Sequence, residues 1–578
     1  MSELKAAYDQ AMAQLTAPGA PYAISKRELN GVVYKMYDNA PANITEVYAQ
    51  AAQHGNNEFL VYEGERISFR QLLQQAAAIG RQLVHELGIV KGDRVAIAMR
   101  NYPEWMSSYV AITSIGAVAV PLNSWGQAGE LAYTIEDADA KLVFCDQQRH
   151  TLLADFLRSH EVGAVVVRAD GSVSGSGAID FRELLAGQEH AVMPEVEIDP
   201  EDLVMILYTS GTTGAPKGAV STHRALCQSI VNFEVAATAS AMSNPKAIGR
   251  MMESGLPPTQ LLAVPLFHVS GLHAAFLIAF KGGRKLVMMY RWDAEQALRL
   301  VESERITVVS AAPAMLLQLL ESEDFDRRDT SSLFSVGAGG AATPPRTSRL
   351  IYEKLPESYS GTGWGMTETN AIGTSFTGNP HKHKPGSAGF QHPTVEIEVR
   401  APEGSVLPQG EPGELWIKSA TLISEYWNRP DATAKDFRDG WFNSGDIGYF
   451  DEEGYLFISD RAKDMVIRGG ENIYPAEIEG VLHDCPEIEE AAAFGIADEQ
   501  WGEQLAVVVT PRAGAQLSAE DVREFAARKL ARFKVPHYVF LHGQPLPRNA
   551  SGKVLKKDLK AEYEKLAGQD FARDQDQA

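Results

Sequence analysis

Leu203-Val-Met-Ile-Leu-Tyr-Thr-Ser-Gly-Thr-Thr-Gly-Ala-Pro-Lys-Gly218 is the stretch on which the reading of this chain turns. Leu203 to Tyr208 is an apolar run of the length of a buried strand. Thr209 to Gly218 is a loop of hydroxylated residues, glycines and one lysine. Gly211 and Gly214 let backbone N–H groups approach and face an anion. Ser210, Thr212 and Thr213 add hydroxyl donors, and Lys217 adds charge. A Walker loop would read G-x-x-x-x-G-K-[ST]. Here Pro216 replaces the glycine before the lysine and Gly218 replaces the hydroxylated residue, so that motif is excluded. Taken alone, the loop is also compatible with a solvated turn.

Outward from this loop, helical and strand-like patterns alternate. Ser68–Leu87, Pro103–Ile115 and Leu131–Ala138 carry helical spacing, while Arg94–Met99, Ala117–Leu122 and Lys141–Cys145 are short apolar strands. A Gly/Ser-rich loop spans Asp170–Gly177. Ser221 or Thr222 is placed to cap the helix after the loop. Leu261–Val264 and Ile306–Ser310 are further strands. The alternation predicts parallel sheets with helices on both faces. Near residue 386 the texture changes. Val395, Ile397 and Val399 alternate with charged residues, and hairpins through Pro412-Gly413 and Glu453-Gly454 predict a small β-rich unit. Beyond Arg461, Pro475–Leu482 is helical, Ala491–Gly495 and Leu505–Thr510 are strands, and Ser518 to Asp521 forms a capping box. The polar end, Gln569–Ala578, is expected to fray.

Other motifs follow the loop in order. They are Pro265-Leu-Phe-His-Val-Ser-Gly271, Gly337-Ala-Gly-Gly-Ala-Ala342, Gly363-Trp-Gly-Met-Thr-Glu368, Gly413-Glu-Leu-Trp416, Tyr426-Trp-Asn-Arg-Pro430 and Trp441-Phe-Asn-Ser-Gly-Asp446. Then come Asp460-Arg-Ala-Lys-Asp464, Gly469-Gly-Glu-Asn-Ile-Tyr-Pro475 and Leu546-Pro-Arg-Asn-Ala-Ser-Gly-Lys553. Together with YTSGTTGAPKG, this series strongly resembles the adenylate-forming superfamily, in particular its acyl-CoA synthetase and fatty-acid–CoA ligase branch. The resemblance covers roughly residues 40 to 560.

The resemblance implies an α/β fold. A large N-terminal domain of Rossmann-like parallel sheets would span 1–459, with the β-rich subdomain at about 386–459. A hinge at 460–463 would lead to a smaller, mobile α+β C-terminal domain at 464–578. It implies ATP and Mg²⁺ as cofactors and coenzyme A as co-substrate. A carboxylate would attack the α-phosphorus of ATP, and the CoA thiol would then take the acyl group from the adenylate. Thr209, Ser210, Gly211, Thr212, Thr213, Gly214 and Lys217 would hold the phosphates, with Glu368 and Thr209 on Mg²⁺. Thr367 would bond the α-phosphate. Trp364, where the family often has tyrosine, would flank adenine opposite Gly339, Gly340 and Ala341. Gly365, Met366 and Ile458 would complete the nucleotide pocket. Asp446 would bind the ribose hydroxyls, aided by Arg461. Lys553 would cover the bridging oxygen, a place where positive charge accelerates the step. Gly469 and Gly470 would line a pantetheine channel, and Lys463 would be the pivot between the two poses.

His268 separates branches of the family. Amino-acid-activating members carry an aspartate in the corresponding F-D-x-S, so Phe267-His268 disfavours an α-amino acid. The implied role of His268 is beside the acyl carboxylate; on its own it would be a satisfied core histidine. The acyl pocket is expected among Thr222–Thr238, Leu272–Phe280 and Val336–Gly340. Those apolar segments favour a medium- or long-chain fatty acid, with an aryl or steroid-side-chain acid, or a non-CoA acceptor, as alternatives. Ser240–Gln260 is read as a surface loop, with a lid as the alternative.

A net charge of -22 opposes a broad grip on nucleic acid or anionic lipid. Cys145, Cys227 and Cys485 are odd in number and lack C-x-x-C spacing, against a disulfide framework or zinc site. No signal peptide is visible, and Tyr109–Leu122 is too short to span a bilayer. These features favour a cytoplasmic protein, with peripheral membrane contact left open. Relatives are often homodimers, but no interface is legible. Gly337 to Ala342 formally matches G-x-G-x-x-A, yet Thr343-Pro-Pro and Glu357 do not complete a dinucleotide fingerprint. A non-catalytic nucleotide-binding relative would be expected to lack Lys553, Glu368 or Asp446, and all three are present.

Overall fold

A computed structural model describes residues 3–171, 173, 177–209, 216–341, 343–469, 471–498, 500–549 and 552–575. The protein is α/β, with a large N-terminal domain built on parallel sheets and a smaller C-terminal domain. Among the described residues, one sheet has eight strands and another nine. In the first, Leu203–Thr209, Val118–Pro121, Arg94–Ala98, Ala140–Asp146 and Gly163–Val167 run parallel. In the second, Gly361–Trp364, Ser335–Ala338, Val308–Ala311, Thr259–Leu262, Lys285–Met288 and Glu58–Tyr62 do the same.

Helices fill the space between the two sheets. Pro103–Ser114 begins with proline at its first turn and buries every residue except Glu104. A helix apolar on all sides has no solvent face to offer, so it belongs in the interior. Phe69–His85 is opened by a Ser68/Gln71 capping box and buries one stripe through Phe69, Leu72, Ala76, Ile79 and Leu83. Both helices join one apolar core with Phe59, Phe144, Phe276 and Phe280.

The β-rich unit is a five-stranded antiparallel sheet containing Val395–Arg400, Gly413–Ser419, Trp441–Phe450 and Leu456–Arg461. The smaller domain folds Gly502–Pro511 between Ile488–Asp498 and Tyr538–Leu541, with Pro475–Leu482 and Ala519–Ala527 packed on its apolar face.

Four local expectations are corrected. Lys217–Thr222 is a strand, antiparallel to Leu203–Thr209, so the two strands pair before the helix begins. Thr222 then caps the helix His223–Ser243. Ser240–Gln260 is not a plain surface loop: it contains the helix Pro245–Glu253, started by proline and held by Asn244 at its first turn. Residues 569–575, expected to fray, continue the helix Lys556–Gln575. The Pro412-Gly413 hairpin is wider than expected, because the chain from Ala401 to Pro412 lies between its strands.

Candidate active site

The carboxyl ends of parallel strands in the two sheets converge, as expected for a ligand crevice in an open α/β sheet. From the eight-stranded sheet come Thr209, Lys217 and Tyr426. From the nine-stranded sheet come Gly339, Gly340 and the turn Thr367–Thr369, which carries Glu368. The Tyr426 hydroxyl donates to Glu368 Oε1 at 3.0 Å, and Ile423 N–H donates to the Glu368 carbonyl at 3.0 Å. These bonds tie the two sheets together at the site. Burial raises the Glu368 pKa above the usual carboxylate range; its own backbone, Tyr426, Arg461 and Lys217 oppose that rise. Lys217 Nζ lies 3.3 Å from Asp436 and 4.4 Å from the centre of the Tyr426 ring.

A second group forms on the β-rich sheet. Asp446 is buried and pairs in register with Arg461 on the next strand. Arg461 Nε reaches Asp446 Oδ1 at 2.9 Å, and Trp364 Nε1 donates to Asp446 Oδ2 at 2.7 Å. Ile458 sits behind them in the same sheet, opposite Gly448. Gly339 and Gly340 border open space, and Gly340 has φ +80°, a backbone conformation that favours glycine. Ala341 is half-buried beside them. Gly365 lies against the Ala371 carbonyl, where a Cβ would come within 2.3 Å. Met366 and Trp364 both pack on the apolar cluster that contains Ile372 and Phe442.

The smaller domain faces the same crevice. Gly552 lies against Ala312 of the large domain, 3.2 Å from where its Cβ would be. The next residue, Lys553, is open to solvent in the cleft yet surrounded by protein. Loss of hydration, then the nearby positive charge of Arg461, brings its pKa down to about 8, with Asp446 opposing. Lys463 is also lowered, by burial and then by Arg461. Asp460 joins the β-rich sheet to the smaller domain by accepting from Ala476 N–H at 2.7 Å, in the first turn of Pro475–Leu482. Arg349 and Asp484 pair across the domains at 2.6 Å.

Thr367 stands beside Glu368, and Thr209 Oγ1 donates to the Lys217 carbonyl at 3.4 Å. His268 is half-buried against Phe267, and burial brings its pKa down to about 4, so it is neutral at pH 7. A π-helical turn, Leu272–Leu277, follows closely, a form often found at functional sites. Gly469 lies elsewhere, under Trp501 of the smaller domain. Ser210, Gly211, Thr212, Thr213, Gly214 and Gly470 lie outside the described residues.

Two residues at this site were not anticipated. Tyr426 belongs to a quoted motif, but nothing in its spacing shows that its hydroxyl meets Glu368. Asn370, buried at φ 50°, accepts on Oδ1 from Ser221 Oγ and pairs with His273 Nε2, and its amide donates to the Thr421 carbonyl. It thereby anchors the turn that carries Glu368, and only its place two residues after that glutamate hinted at a role.

Models of two families match the chain: AMP-binding enzyme over residues 47–427, and AMP-binding enzyme C-terminal domain over 477–553. The chain belongs to the AMP-binding enzyme family. It is 36% identical over 480 residues to the long-chain-fatty-acid–CoA ligase FadD13 of Mycobacterium tuberculosis, covering 82% of this chain and 89% of that one. It is 32% identical to 4-coumarate–CoA ligase 4 of Arabidopsis thaliana, covering 84% of each. ATP-bound MatB from Rhodopseudomonas palustris superposes with a TM-score of 0.79 at 30% identity, over 90% of this chain and 99% of that one. These relatives place the chain in the acyl-CoA synthetase branch of the adenylate-forming enzymes, as an AMP-forming acid–thiol ligase.

Proposed function

We propose that this enzyme activates a hydrophobic carboxylic acid, with a medium- or long-chain fatty acid favoured, as an acyl-adenylate and transfers the acyl group to coenzyme A. The observation that carries the reading is the convergence of Glu368, Asp446, Arg461 and Lys553 on one crevice from three parts of the chain. The first step joins two anions, so it needs charge neutralisation and alignment. Asp446 would bind the ribose diol beside Trp364, with Gly339 to Ala341 opposite the base. The 209–218 loop would hold the outer phosphates. Lys553, above the crevice, would stabilise charge as the carboxylate oxygen bonds to the α-phosphorus and pyrophosphate departs. The smaller domain, 464–578, would then turn about 460–463 with Lys463 as pivot, and Gly469 and Gly470 would face pantetheine.

The residues present suit Mg²⁺ arriving with ATP. No cluster of three or more His, Cys, Asp or Glu side chains that could hold a metal exists among the described residues. One carboxylate, Glu368, and the Thr209 hydroxyl are an oxygen set of the kind Mg²⁺ accepts when substrate phosphates supply further ligands. The ion would neutralise phosphate charge.

The apolar residues Leu272, Ala275 and Phe276 of the turn that follows His268 along the chain support an apolar acyl group. The likeness to FadD13 supports a fatty acid, and that to 4-coumarate–CoA ligase 4 supports the aryl alternative. Mass spectrometry of acyl-CoA formed from ATP, Mg²⁺, CoA and acids from acetate to oleate, with benzoates, coumarate and a bile acid, tests the proposal. A product window at medium or long chains is expected. Turnover of aryl acids alone would replace the fatty-acid reading, and adenylate without thioester would exclude CoA as acceptor.

A further inference from the structure

Asp446 accepts one bond from the protein on each carboxylate oxygen. Arg461 occupies Oδ1 and the Trp364 indole N–H occupies Oδ2. An ionised carboxylate offers about four lone-pair sites, so about two remain, the number a vicinal diol needs. The two protein partners differ in kind. Arg461 ends the strand Leu456–Arg461, at the start of the segment joining the domains. Trp364 is anchored wholly within the large domain. A Cβ on Gly373 would come within 2.7 Å of its Cε3, so that glycine lets the backbone lie flat against the indole. Ile372, Phe442, Leu456 and Val399 belong to the apolar clusters it joins. An indole donates and never accepts, so its single N–H has one use here.

We propose that Trp364 is a positioning residue for ribose recognition, its indole N–H holding Asp446 in the orientation that meets both ribose hydroxyls. The proposal rests on the reading of Asp446 as the ribose ligand. It assigns Trp364 a role beyond that of a wall for adenine: one partner of Asp446 stays in place whatever the smaller domain does. Discrimination between ribose and deoxyribose therefore depends on a side chain that does not touch the sugar hydroxyls through its own donor.

The test is a cycle between enzyme and substrate. Adenylation is followed by pyrophosphate exchange with ATP, 2′-deoxy-ATP and 3′-deoxy-ATP, for the wild type and Trp364→Phe. The wild type should lose about tenfold in kcat/KM with either deoxynucleotide, the size of one bond to a charged acceptor. In Trp364→Phe, ATP itself should lose about tenfold, and the penalty for either deoxynucleotide should shrink to about threefold or less. A wall for adenine alone would lower all three substrates equally and keep the tenfold penalty, which overturns the proposal. A wild type indifferent to the sugar would instead overturn the ribose reading of Asp446. Site-specific replacement of Trp364 by benzothienylalanine keeps the ring's shape without the N–H. It should reproduce the reduced penalty, and full discrimination by that protein would overturn the proposal even if Trp364→Phe failed to fold.

Discussion

Tyr426→Phe removes one hydroxyl and leaves a ring that can still pack edge-on to Phe437, 6.0 Å away, and under Lys217. What is lost is the 3.0 Å bond to Glu368 Oε1, together with the same hydroxyl's weaker interaction with Asp436. A hydrogen bond to a charged partner contributes about 1.5–3 kcal/mol net. The lower part of that range applies, because the charges of Arg461 and Lys217 still favour the carboxylate. A cost of about 2 kcal/mol corresponds to roughly 30-fold in kcat/KM at 25 °C. Pyrophosphate exchange at saturating acid, with ATP varied, measures that loss. The midpoint of thermal unfolding should fall by only a few degrees, since about 2 kcal/mol is small against the unfolding entropy of so large a chain. The decisive comparison is on a Glu368→Gln background, where the same substitution should cost about threefold or less, because the charged acceptor is gone. An activity within twofold of wild type, or an equal loss on both backgrounds, would refute the claim that Tyr426 acts through Glu368.

Lys553→Ala should reduce adenylation by about 10²- to 10³-fold yet spare thiolation of supplied acyl-adenylate, measured as acyl-CoA formed; equal loss in both half-reactions would sink the two-pose account. Because the Lys553 pKa is brought down to about 8, its ammonium is present below that pH and is lost as pH rises through it. The kcat/KM of adenylation should therefore fall above about pH 8, and Lys553→Arg, whose guanidinium stays charged, should move that fall beyond the range tested. A wild-type profile flat to pH 9.5 would contradict this assignment. Arg349→Glu sets two negative charges against each other where Arg349 now meets Asp484. As an exposed pair it is worth about 1 kcal/mol or less, so adenylation should fall about three- to fivefold, and Asp484→Lys in the same chain should restore it. No restoration would mean that the pair does not hold this domain arrangement.

Much of the fold was legible because its signals are local. Buried parallel strands read as short apolar runs such as Arg94–Ala98, and caps such as Thr222 and Ser518 lie within a turn of what they satisfy. The strand Lys217–Thr222 was missed because it is brief and its loop reads as a lead-in to a helix; only pairing with Leu203–Thr209 shows it to be a strand. Pro245–Glu253 was missed because it buries no residue fully, so its apolar positions lack a core to declare them.

The motifs by themselves determined the class of enzyme and named Glu368, Asp446, Arg461 and Lys553, since phosphate, diol and leaving-group chemistry each require particular side chains in a recurring context. Only the tertiary structure decided how those groups are held. The partners of Glu368 and Asp446 are 58 and 82 positions away along the chain. A hydrogen bond between such distant residues leaves no periodicity in the sequence, because the packing of two sheets and a small domain, rather than spacing along the chain, brings donor and acceptor within 3 Å.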